Sequence, residues 1–293
     1  MRKAKVYMDT IVDIQTVTQK STIETEEKIN RAFQAFQKIE QACSRFSHTS
    51  ECMQACQNIG KPVEISPLLF QPLFFALEMA RLTDGLFDPT VGKLMEENGF
   101  NRHYLTGEVM KSSCTESVTF RDIVLNPETR TLLLKKPLVI DLGAVAKGFA
   151  IDLAAQELKD LDGFVINAGG DLFAGGLNED GKPWQIGIQH PYQNNRFIDT
   201  VEISNEAICT SGSYERKNHE KVDVHHLVNP KTRRSPQEWI SCSIIAPFAM
   251  MADALSTISF LLGSEKSKSF IEEFNIKGIM VTPELQIIQT GGI

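Results

Sequence analysis

The stretch Asp141-Leu142-Gly143-Ala144-Val145-Ala146-Lys147-Gly148 reads as a strand end, a glycine-containing turn and the opening of a helix that runs through Leu158. A short strand, Phe164–Ile166, then enters a second glycine turn, Asn167-Ala168-Gly169-Gly170-Asp171. Regular repetition of strand and helix along the chain would mean a doubly wound sheet. The flanking sequence does not repeat it. Further strand patterns come in runs at Trp184–Ile188, Phe197–Ile203, His226–Val228 and Ile240–Ile245, while other strands are separated by helices. That mixture predicts an α+β fold with mixed β-sheets and packed helices. No linker, repeat or low-complexity segment divides the chain, so residues 1–293 are expected to form one domain.

Upstream, Lys5–Val17 places Val6, Met8, Val12 and Ile14 at the two-residue spacing of a strand. Ile29, Ala32, Phe33, Phe36, Ile39 and Cys43 then recur at the three-and-four spacing of one buried helix face. Ser47–Ile59 is polar and irregular, and is expected to lack regular structure. Ser66-Pro67 marks a helix start, with Ser66 as N-cap, and that helix ends at Asp84-Gly85. Pro72 signals a kink or a later start. Two or three strands are expected between Val118 and Ile140. Downstream, helices are expected over Phe248–Leu262 and near Glu265–Phe274, with a final pair of strands.

Composition narrows the function classes. The 293 residues carry 30 Lys and Arg against 37 Asp and Glu, a net charge of −7. That balance argues against a nucleic-acid partner, whose footprint is normally a basic face. The most apolar stretches, near Ile244–Met251 and Ile258–Leu262, fall far short of the ~20 residues a membrane-spanning helix needs. The N-terminus shows no signal-peptide pattern. A cytoplasmic location is therefore expected for the chain as numbered, the alternative being an exported lipoprotein whose leader has been removed. The six cysteines are scattered without a CxxC pair, which favours free thiols over a zinc site.

Four groups of residues have chemical potential. In Asp141–Gly148, backbone amides, a helix N-terminus and Lys147 form a plausible phosphate cradle. It is not a P-loop, because Lys147 precedes Gly148 and no Ser or Thr follows. On the turn alone, a strand-to-helix turn with a solvated lysine is the favoured reading. The helix around Met250–Ile258 is apolar nearly all round, so Asp253 is expected to be buried, and a buried carboxylate needs a partner. Thr257 lies four residues on and shares its face, and a carboxylate with a hydroxyl suits a hard cation such as Mg2+. Simple complementation of the helix N-terminus is the competing reading. A hydroxyl-rich turn, Thr210–Arg216, precedes His225-His226 on an expected strand, where one histidine would face inward, more often as a satisfied structural residue and alternatively as a general base, and the other outward. Last, Gly85-Leu86-Phe87-Asp88-Pro89-Thr90-Val91-Gly92 sets an aromatic beside an acid in a tight loop, suited either to a planar ligand or simply to turning the chain.

Taken together and in order, these segments resemble the ApbE family, the FAD:protein FMN transferases. The matching stretches are Met8-Asp9-Thr10, Arg45-Phe46-Ser47 to Ser50-Glu51, Phe87–Gly92, Asp141–Gly148, Asn167–Asp171, Thr210–Arg216, His226–Pro230 and Ala252–Thr257. The resemblance implies a domain that binds FAD and Mg2+ and moves FMN from FAD to a threonine hydroxyl of an acceptor flavoprotein, releasing AMP. It implies metal ligation by Asp253, Thr257 and the Ala144 carbonyl. Flavin and nucleotide contacts are implied for Met8, Phe46, Leu86, Phe87, Asp88, Asp141, Lys147 and Leu227. Lys147 would offset phosphate charge, and His226 is the candidate to accept the hydroxyl proton.

This sequence departs from the family pattern at several places. Asp9 replaces the usual glycine, Ser213 the usual aspartate, Asn229 the usual aspartate before Pro230, and no glycine follows Thr232. Phe46 is aromatic where members that hydrolyse FAD carry a polar residue, which favours retention of FAD. Two other activities remain as alternatives, a Mg2+-dependent FAD pyrophosphatase and a non-catalytic FAD-binding protein.

Overall fold

The period-two pattern near the N-terminus is one of strands, but not of a single strand. Met8 and Asp9 both adopt left-handed backbone, with φ of 51° and 60°, and turn the chain into a hairpin of β1 (Arg2–Tyr7) and β2 (Thr10–Val17). Two successive left-handed residues give the turn that matches strand twist. The expected single strand therefore becomes two, because Met8-Asp9 lacks the Asn-Gly signature of such turns. The computed structural model describes all residues except 104, 105, 113, 115, 116, 194, 216–222 and 293.

The chain continues through α1 (Thr22–Cys43), α2 (Glu51–Cys56), β3 (Val63–Glu64), α3 (Pro67–Leu82) and α4 (Gly92–Glu97). Next come β4 (Ile123–Asn126), β5 (Thr131–Leu134), α5 (Ala146–Leu158), β6 (Gly163–Ala168) and β7 (Asp171–Gly176). The last part holds β8 (Trp184–Gln189), β9 (Phe197–Ile203), β10 (Glu206–Gly212), β11 (Ser241–Ala246), α6 (Ala249–Leu262), α7 (Ser264–Glu273), β12 (Lys277–Val281) and β13 (Ile287–Thr290).

Several elements differ from the sequence reading. The polar Ser47–Ile59 stretch contains α2, started by Ser50, whose hydroxyl accepts the Met53 amide at 3.2 Å. Pro72 does not delay α3, which starts at Pro67 as the Ser-Pro signal indicates and runs through Pro72. Ser66 makes no side-chain cap and instead donates its hydroxyl to Glu51. Strands β7 and β10 follow glycine- or turn-rich sequence that hid them. Residues 226–228 form no strand, and Arg216, the end of the hydroxyl-rich motif, lies outside the described residues.

Eight strands pair in the order β1-β2-β6-β7-β10-β11-β12-β13, all antiparallel. Alternate residues of the central strands enter two different cores. Ala207 and Cys209 of β10 and Ile244 of β11 join the main core with α1, α5 and α6. Ile208, Ile245 and Ile279 face the other way, against Trp184, Ile188, Val201 and Ile203 of the β8–β9 hairpin. The sheet is thus covered on both faces, and these strands are apolar on both sides for that reason. A smaller sheet, β3-β5-β4, lies apart.

Two features set where the site lies. The turns at the ends of β1–β2 and β6–β7 adjoin, since the Gly169 amide donates to the Ile11 carbonyl. Gly169 has φ +64°, and a Cβ there would sit 2.4 Å from the Thr10 hydroxyl, so only glycine fits. The first turn of α5 meets the first turn of α6, where a Cβ on Gly148 would lie 2.4 Å from the Ala249 carbonyl oxygen.

Candidate active site

A cavity of about 640 Å3 opens where these elements converge. That is within the usual range for small-molecule and cofactor sites. Its wall brings together all twelve residues singled out from the sequence: Met8, Phe46, Leu86, Phe87, Asp88, Asp141, Ala144, Lys147, His226, Leu227, Asp253 and Thr257. They come from the β1–β2 turn, the segments after α1 and α3, the turn before α5 and the first turn of α5, the loop before β11, and α6.

The α5–α6 corner is the most charged part. Val145 offers no side-chain cap to α5, the Ala146 amide donates to the Leu142 carbonyl at 2.8 Å and the Gly148 amide to Asp253, so it is the helix dipole and Lys147 that favour an anion there. Lys147, in the first turn, pairs with the buried Asp171. Burial works against the lysine's charge, but Asp171 and then Asp253 outweigh it and hold Lys147 above its ordinary range. Asp253 is 5% exposed, and its Oδ2 accepts the Gly148 amide at 3.1 Å. Burial and the neighbouring Asp171 push its carboxyl up to about 7, with Lys147 pulling the other way. Thr257 stands one turn along α6 from Asp253, its hydroxyl 3.1 Å from that of Ser211.

The oxygen donors fit a hard cation. A buried carboxylate, a hydroxyl one turn on, and the Ala144 segment all line the cavity. Among the described residues, no three His, Cys, Asp or Glu side chains cluster as a metal site. An ion held here would therefore have few side-chain ligands and complete its shell with carbonyl, water or phosphate oxygens, as Mg2+ does.

Two predicted contact residues have their carboxylates engaged within the protein. Asp88 Oδ1 accepts the Thr90 amide and hydroxyl at 2.8 and 2.7 Å, and Oδ2 accepts the Phe120 amide at 3.0 Å. Asp141 pairs with Arg45 at 2.6 Å and accepts the Gly143 amide at 2.8 Å. Both acids brace the loops that form the wall. The two histidines are not strand neighbours. His226 lines the cavity, whereas His225 is buried, its Nε2 2.8 Å from the Pro236 carbonyl and its ring edge-on to Phe260.

Other residues that line the cavity carry weaker signals in the sequence. Arg45 is 7% exposed, donates to the Phe100 carbonyl and lies 4.1 Å over the Phe46 ring. Glu40 accepts the Met8 amide at 2.9 Å and so fixes the hairpin turn. His103 meets Asp9 at 3.2 Å. Asp171 and Ser211 belong to the Asn167–Asp171 and Thr210–Arg216 motifs, yet nothing in the spacing ties Asp171 to Lys147 or Ser211 to Thr257, since those contacts join strands and helices far apart in the chain.

An antiparallel sheet backed by helices, with one cavity that joins an anion-attracting helix start to a buried acidic helix, defines an α+β ligand-binding protein. The ApbE protein from Thermotoga maritima shares this fold, with a TM-score of 0.88 and 27% identity, covering 99% of this chain and 96% of that one. The flavin transferase ApbE from Vibrio cholerae has the same fold at TM-score 0.85 and 23% identity, covering 99% of this chain and 96% of its own. The family model of ApbE matches residues 8–280, and the chain belongs to the ApbE family. Among curated relatives, the FAD:protein FMN transferase of Haemophilus influenzae is 29% identical over 285 residues, 92% of this chain and 82% of that protein. The enzyme of the same name from Escherichia coli K12 is 28% identical over 280 residues, 90% of this chain and 78% of its own.

Proposed function

We propose that this protein is an FAD:protein FMN transferase that moves FMN from FAD onto a threonine hydroxyl of an acceptor protein and releases AMP. Family membership and the named activity of the relatives support the transfer. The observation that carries the chemistry is the α5–α6 corner, where Lys147, Asp253 and Thr257 line one cavity at the start of α5.

In this reading the diphosphate of FAD occupies that corner, with Lys147 and the α5 dipole offsetting its charge. Met8, Phe46, Leu86, Phe87 and Leu227 give the apolar surface for the planar rings. Asp253, Thr257 and the Ala144 carbonyl would hold Mg2+, which when bound neutralises phosphate charge and polarises the phosphorus under attack. The acceptor hydroxyl oxygen bonds to the FMN-side phosphorus, the anhydride P–O bond to AMP breaks, and His226 takes the hydroxyl proton. Positioning and charge neutralisation do most of the work in such a transfer.

The test mixes the protein, FAD and Mg2+ with an acceptor domain and follows an FMN-sized mass adduct on threonine. Asp253→Asn is expected to abolish the adduct while the circular dichroism spectrum stays unchanged. AMP formed at the same rate without an acceptor would instead indicate hydrolysis, and FAD retained unchanged with an acceptor present would indicate a binding protein.

A further inference from the structure

The hydroxyls behind α6 form a chain whose proton order is fixed at one end. Ser256 Oγ lies 2.8 Å from the Asp253 carbonyl oxygen, and a carbonyl only accepts, so the Ser256 proton is committed there. Ser256 Oγ is also 2.8 Å from Ser211 Oγ, so Ser211 must be the donor in that contact. Ser211 has then used its one proton. Its second neighbour, Thr257 Oγ1 at 3.1 Å, must donate to it.

From this order we infer that Ser211, backed by Ser256, is a positioning residue for Thr257. The relay turns the Thr257 proton into the protein and leaves the oxygen lone pairs directed away from it, toward the cavity that Thr257 lines. A hydroxyl ligates a cation through a lone pair, so a threonine held in this rotor state is prepared to bind one without reorientation. The inference rests on the reading that Thr257 faces a divalent ion. It adds that strand β10 and a side chain outside the cavity wall, Ser256 at 1% exposure, tune that ion's affinity. Groups that orient metal ligands commonly alter affinity about 10–100-fold when removed.

The experiment titrates Mn2+ into the FAD-loaded protein without acceptor and reads free ion by electron paramagnetic resonance. Ser211→Ala is expected to weaken Mn2+ binding about tenfold or more. Ser256→Ala weakens it in the same direction, and the double variant is no weaker than Ser211→Ala alone, because either change breaks one relay. Thermal unfolding without metal is measured alongside. Lower melting temperature with unchanged Mn2+ affinity in both variants overturns the proposal, as does weakening in Ser211→Ala with none in Ser256→Ala. Equal Mn2+ binding by the native protein and Asp253→Asn overturns the cation reading itself, and is distinguishable because it does not involve the serines.

Discussion

Arg233 and Asp9 stand where the family usually has glycine, and both have φ of 60°. Glycine would adopt this left-handed backbone without strain. A non-glycine residue in left-handed backbone costs roughly 1–2 kcal/mol. Arg233 also pairs with Glu97 at 2.6 Å, an exposed contact worth at most about 1 kcal/mol. Arg233→Gly is therefore expected to be neutral or to stabilise by up to about 1 kcal/mol in denaturant unfolding, after allowing for glycine's greater freedom in the unfolded chain. Lys147 differs, because its partner Asp171 is only 4% exposed at the side chain. Lys147→Met leaves that acid without its cation, and a loss of a few kcal/mol is expected. Transfer should fall by about 10²–10³, the usual cost of removing one charge-stabilising group. Adding Asp171→Asn should restore part of the stability and none of the rate. Recovery of rate in the double variant would show that Lys147 acts only structurally.

At the scale of elements, the site depends on how α5 meets α6. Gly148 lets the helices touch, and its amide reaches Asp253. Gly148→Ala forces them apart and is expected to cost about 1–3 kcal/mol through overpacking. It should weaken FMN transfer more than FAD binding, read as a larger change in rate than in KM. One turn further along, Asp152 accepts the Ala249 and Met250 amides at 2.7 and 2.9 Å and so closes the start of α6. Burial outweighs those bonds and raises its carboxyl to about 6. A raised acid binds its proton more tightly in the folded state, so its contribution is present below the unfolded value of 3.8 and is lost as pH rises through 6. Relative to Asp152→Asn, the native protein should lose up to ~3 kcal/mol of stability between pH 4 and pH 7. A parallel pair of stability curves would show that Asp152 has an ordinary pKa.

For the whole molecule, the cavity is bordered by the β1–β2 turn, the loops after α1 and α3, α5, β10 and α6, so a ligand there ties both ends of the chain together. FAD at a hundred times its Kd should add about 2.7 kcal/mol and raise the melting temperature by several degrees, in a single transition. A second transition unaffected by FAD would mean that part of the chain unfolds independently of the site. The sequence by itself determined the amphipathic face of α1, the Ser-Pro start of α3, the glycine turn into α5 and the apolar helix that carries Asp253, because each is written in neighbouring residues through spacing, capping or turn chemistry. It also marked twelve of the residues that line the cavity, through motifs that occur in order along the chain. It did not show the Met8-Asp9 turn, α2, or strands β7 and β10, where local preference is weak and pairing across the sheet decides. Only the tertiary structure decided that Lys147 meets Asp171, that Asp141 braces Arg45, and that Ser211 and Ser256 order the proton on Thr257. These contacts join residues tens of positions apart, and hydrogen-bond direction depends on distances that no local pattern encodes.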